Sequence, residues 1–130
     1  TLGKLLDPIS QDACAFYETQ AIYKDFSGVV EKVDEGDLIA EALGDKKVII
    51  LQNHGILTTG PSVDIALWFY TSMERCCQAQ LMADAAGQTQ SIPHDTALKT
   101  RSFIANDVAA WASFQPAFDM ICKKEPDLFD

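Results

Sequence analysis

The stretch KKVIILQNHGILTTG, residues 46–60, constrains this chain more than any other. Val48-Ile49-Ile50-Leu51 is an unbroken apolar, largely β-branched run bounded by lysines on one side and polar turn residues on the other. Such a run is too short for a core helix. It reads as a strand over 46–52 that has both faces buried, because an alternating pattern would leave one face wet. ILTT, 56–59, follows as a second short strand, so 46–59 forms a hairpin hinged at Asn53-His54-Gly55. A strand that is apolar on both faces needs cover above, below and along its edges, or it becomes an aggregation site.

The flanking segments supply part of that cover. DEGDLIAEALG, 34–44, reads as a helix: acids crowd its start, Leu38, Ile39, Ala42 and Leu43 form its apolar stripe, and Gly44 stops it. After Gly60-Pro61 comes the longest helical segment, from about 62 to 86, capped by Ser62 and ended by Gly87. Its rows are traced by Ile65, Phe69, Met73, Cys76 or Cys77, and Gln80. Trp68-Phe69-Tyr70 reads as packing rather than as a stacking platform. DPISQDACAFYETQAIY, 7–23, reads as a short helix with Pro8 in its first turn, and FSGVVEKV, 26–33, as a strand bent at Gly28. QTQSIPHD, 88–95, is a polar loop, and 97–124 a last helix or helix pair interrupted at Pro116. Three or so strands against three or four helices make a thin sheet for this much apolar surface. The chain therefore reads as part of a larger sheet.

Length fits one domain of 130 residues, and 48% apolar against 22% charged residues suits a packed core rather than disorder. The net charge of −9, with lysines and arginines scattered singly, argues against nucleic acid or an anionic membrane surface as partner. No apolar run approaches the ~18 residues of a membrane span, and no signal peptide opens the chain. Cys14, Cys76, Cys77 and Cys122 have neither zinc-knuckle nor disulfide-framework spacing, which points to reduced thiols and a cytoplasmic location.

The order strand, Asn-His-Gly, strand, Thr-x-Gly, then a capped helix carrying Glu74-Arg75 resembles the second half of the class II aldolase and adducin family. VIILQNHGILTTGPSVDIALWFYTSMERCCQAQL carries the match, and the segments at 7–17 and 26–44 fit more loosely; the nearest branch is the fungal and adducin-like one. The resemblance implies a three-layer α/β/α fold, here incomplete, and a homo-oligomer, usually a tetramer, with sites between subunits. It implies that residues 1–130 are the later part of one such domain, completed by a missing N-terminal segment or a partner chain. It also implies a metal-dependent aldolase-type lyase acting on a small hydroxy-carbonyl substrate, with a divalent metal, zinc or alternatively iron, held by three histidines. His54 matches the histidine of Asn-His-Gly. The His-x-His pair and the upstream acid of the family pattern have no match here, and His94 lies outside the pattern, so the fragment alone is expected to be inactive.

Three functions remain open on the sequence: the lyase, a non-catalytic adducin-like interaction domain, and an iron-dependent oxygenase or decarboxylase on the same scaffold. For His54 the alternative to a ligand is a structural histidine packed and hydrogen-bonded in a turn. Glu74, in mid-helix, reads as a surface or supporting carboxylate rather than a catalytic one.

Overall fold

The computed structural model describes residues 3–25 and 33–129, with the side chains of 33 and 34 excepted. Its organising element is β2, Val48–Leu51, the middle strand of a three-stranded sheet. On one side it pairs in parallel with β1, Gln20–Tyr23, and on the other it pairs antiparallel with β3, Gly55–Thr58. Val48 and Ile49 are completely buried and Leu51 nearly so, each burial contributing roughly 1.5–3 kcal/mol.

The pleat sends these residues into two separate cores, as the period of two requires. Val48 and Ile50 pack with Ile65, Phe69, Met73 and Cys76 of α2, Val63–Ala86, and with Phe16 and Ala110. Ile49 and Leu51 pack on the opposite face with Ile39 and Leu43 of α1, Val33–Leu43. The layers are therefore α1, the sheet, then α2 with the later helices, an α/β/α arrangement as expected. Phe16 and Phe69 meet edge to face at 6.2 Å in the larger core, and Trp68 packs on Phe69 at 4.9 Å.

Ser62 caps α2, its Oγ accepting from the Ile65 N–H at 3.4 Å, and Gly44 ends α1 with φ +54°. Three expectations need correction. Residues 7–23 are not one helix. An extended strap over 3–11 leads into a 3₁₀ turn at Asp12–Phe16, and then β1. The break in the last helical segment falls at Ala105-Asn106 rather than at Pro116. It separates α3, His94–Ile104, from α4, Asp107–Lys124, because Asn106 Oδ1 accepts from the Ala109 N–H at 2.9 Å and starts a new helix. Pro116 lies inside α4, and His94 opens α3 instead of closing a loop. The strand expected at 26–33 falls outside the described residues save for Val33, which begins α1. A 3₁₀ turn at Pro126–Phe129 follows α4.

Gly60 joins β3 to α2 where no side chain fits. A Cβ there would stand 2.9 Å from both the Ala66 backbone nitrogen and Ile65 Cγ2. Gly36, inside α1, has nothing within 4 Å of the same position. Gly60→Ala is thus expected to lower stability by about 1–3 kcal/mol, whereas Gly36→Ala is expected to raise it by about 0.5–1 kcal/mol. Paired thermal melts check this, and equal shifts of the same sign would contradict the close approach.

Candidate functional site

The β2–β3 connection is a three-residue turn. The His54 N–H donates to the Leu51 carbonyl at 3.0 Å, and Leu51 pairs with Gly55 across the ladder. Closing so tight a loop needs one left-handed residue, and Asn53 supplies it with φ +62°. Gly55 has no positive φ, and a Cβ there would meet open space. His54 is exposed at the tip.

The imidazole opens on a cleft of about 340 Å³. Leu5 and Leu6 of the strap form one wall, Ile50 and Ile56 the floor, and Cys77, Gln80 and Leu81 of α2 the other wall. Glu74 stands exposed on the same helix face, and Lys4 lies at the strap end. Apolar walls beside a few polar groups are the usual make-up of a small-molecule site.

Two buried glutamines hold the strap in place. Gln20 Oε1 accepts from the Leu6 N–H at 2.9 Å, and its Nε2 donates to the Leu6 carbonyl at 2.7 Å, imitating a strand partner. Gln80 Oε1 accepts from the Asp7 N–H at 2.8 Å, and its Nε2 donates to Asp7 Oδ2 at 2.7 Å. Lys4 Nζ adds an ion pair to Asp84 Oδ2 at 2.8 Å. Sequence reasoning placed Gln80 on the buried row of α2 without giving it this task, and it did not single out Gln20. The available signal was a glutamine at an apolar position, whose amide must find partners if it is buried.

Cys77 is the thiol nearest this chemistry, and it is held protonated. Burial pushes its pKa up, and the Glu74 carboxylate one turn away pushes in the same direction. Burial likewise drives Cys76 to about 11, helped by the charge of Asp12. Neutral thiols are poor nucleophiles and poor metal ligands. All four cysteines are free. Among the described residues, no three histidine, cysteine, aspartate or glutamate side chains converge into a metal site. His54 therefore offers one donor, and this chain's described residues do not complete a set. His94 is elsewhere, its Nδ1 3.0 Å from the Tyr17 hydroxyl and 3.7 Å from Glu18 Oε1. No helix among the described residues is long and apolar enough to cross a membrane.

The family model described as Class II Aldolase and Adducin N-terminal domain matches residues 1–81. Decarboxylase NovR of Streptomyces niveus is 40% identical over 126 residues, which cover 97% of this chain and 47% of that protein. The 4-hydroxy-3-prenylphenylpyruvate oxygenase/4-hydroxy-3-prenylbenzoate synthase of Streptomyces roseochromogenus subsp. oscitans is 39% identical, with 97% and 46% covered. The structure of L-fuculose 1-phosphate aldolase from Glaciozyma antarctica PI12 superposes with a TM-score of 0.86 at 40% identity, covering 97% of this chain and 47% of that one. The chain spans about half the length of these relatives.

The strap's ion pair sets a pH dependence. Lys4, by its hydrogen bond and charge, holds the Asp84 carboxyl below its ordinary value of 3.8. A depressed carboxylate stabilises the fold above its unfolded pKa and stops doing so as pH falls through the folded one. The stability difference between wild type and Asp84→Asn is therefore expected to be level from about pH 5 to 8 and to shrink toward zero below about pH 4. Denaturant titrations across that range check it. A difference that grows on acidification would contradict the pairing.

Proposed function

The chain belongs to the class II aldolase and adducin family, and on that premise we propose that His54 serves as one imidazole ligand of a divalent metal in an aldolase-type lyase. The substrate class is a small hydroxy-carbonyl compound. The other ligands come from the part of the family domain that this chain does not span, carried by the same polypeptide or by a second chain. One observation supports this reading above the others: the histidine is the exposed tip of a turn braced by a buried central strand, and it faces a cleft with apolar walls.

A divalent metal bound there supplies Lewis acidity toward a substrate oxygen. What this chain's own residues do is narrower. The Leu51–Gly55 pair and the left-handed Asn53 fix the backbone that carries the imidazole. The strap and α2 keep water from one side of it, and Cys77 stays a neutral wall residue. Glu74 shares the cleft as an acidic neighbour.

A second reading keeps the scaffold and changes the reaction to an oxidative or decarboxylating one using iron. The names of the two Streptomyces relatives, each matching 97% of this chain, favour it. The two readings separate by elemental analysis of the intact protein, zinc against iron, together with the dependence of turnover on dioxygen.

His54→Ala in the intact protein tests the shared premise. Metal content is expected to fall to near zero, since a three-ligand site loses its affinity when one ligand is removed. The melting temperature of the metal-free forms is expected to stay within about 2 °C, because an exposed side chain contributes little to the core. Unchanged metal content with a lowered melting temperature would show a structural histidine instead.

A further inference from the structure

The imidazole that the cleft does not use has a surrounding of its own. His94 opens α3, and its Nδ1 lies between two groups of different hydrogen-bonding character. The Tyr17 hydroxyl, which can donate, is 3.0 Å away, and Glu18 Oε1, which as a carboxylate only accepts, is 3.7 Å away. The Tyr17 and His94 rings meet edge to face with centroids 5.7 Å apart. Both partners are held by the backbone that carries them. Arg101, two turns further along α3, donates from Nη1 to the Tyr17 carbonyl at 2.6 Å. Glu18 has φ +59°, a left-handed state in which a glycine would sit without steric cost. What the glutamate adds at that position is a carboxylate beside the imidazole. Thr19 anchors the link: its N–H donates to the Phe16 carbonyl at 3.0 Å, and its carbonyl accepts from the Lys47 N–H at 2.9 Å.

We propose that His94 is a protonation-dependent clasp between α3 and the link into β1, in which one ring nitrogen changes partner. In the neutral ring Nδ1 has a lone pair and accepts from the Tyr17 O–H, the ring proton sitting on Nε2. In the charged ring Nδ1 carries a proton and donates to the Glu18 carboxylate, so the contact becomes charge-assisted. The proton comes from solvent, to which the imidazole and the carboxylate side chain are 56% and 53% exposed. The other charges on the elements that meet here act in both directions. By sign, Asp95 in the first turn of α3 and Asp12 of the 3₁₀ turn favour the charged ring. The α3 N-terminus, Lys99 and the Arg101 guanidinium oppose it. Asp107, at the start of α4, is engaged by Lys47 at 3.5 Å. The clasp reaches the cleft through β1. Gln20, two residues past Glu18, holds both backbone groups of Leu6 in the cleft wall. As pH falls, α3 is fastened more firmly to the element that holds that wall.

The test is made on the intact protein. Nitrogen-15 spectra of the His94 ring at pH 8.5 are expected to show the Nε2–H tautomer, since the Tyr17 O–H needs a lone pair on Nδ1. An Nδ1–H tautomer would overturn the exchange of partners. Denaturant titrations of wild type, Tyr17→Phe and Glu18→Gln at pH 8 and pH 5.5 give the second readout. A base that gains a partner when protonated contributes stability that is present at low pH and is lost as pH rises. Glu18→Gln is therefore expected to raise the unfolding constant about 2–5-fold at pH 5.5 and to change it little at pH 8. Tyr17→Phe is expected to do the reverse, with its larger effect at pH 8. Equal effects at the two pH values, or both variants losing most at the same pH, would show static surface contacts and reject the clasp.

Discussion

Everything in this chain hangs on β2 being buried on both faces. Four residues, Val48–Leu51, divide their side chains between two cores, and each core recruits its own helix: α2 on one face, α1 on the other. Because β2 is also hydrogen-bonded along both edges, it can neither shift register nor tilt without disturbing both layers. The turn at its end inherits that rigidity. His54 is one turn residue beyond the ladder pair Leu51–Gly55, so its backbone is fixed by the most constrained part of the fold.

The cleft it faces has a different origin. Its far wall is an extended strap with no ladder of its own, held by side-chain amides from two distant elements, Gln20 of β1 and Gln80 of α2. Loss of either glutamine leaves strap groups without partners, at a cost of about 1–3 kcal/mol. The hairpin fixes the donor and the glutamines fix the wall opposite. The chemistry therefore rests on a local element on one side and on long-range polar contacts on the other.

That split also explains what could be read in the sequence. The run VIIL, the capped helix after Gly60-Pro61 and the acid-led helix ended by Gly44 each carry their own periodicity or caps, and each formed close to where its pattern placed it. The tip position of His54 was legible for the same reason. The strap and β1 were not. Pro8 and Asp7 look like a helix start, but the Asp7 backbone and carboxylate are taken by Gln80, a partner 73 residues away, and β1 exists only because β2 pairs with it. Pro116 misled in the opposite sense. Read alone it ends a helix, yet the nearby Asn106 cap decides where α4 starts and the proline is carried inside it. In the turn it is Asn53, not the glycine, that adopts the left-handed backbone.

The account stands or falls on whether the imidazole at the tip of that turn binds the metal directly. Scalar coupling between cadmium-113 and nitrogen-15 in the intact, cadmium-loaded protein measures this at a single residue. Direct ligation predicts a resolved coupling to one ring nitrogen of His54. A bound metal with no coupling at His54 would contradict it.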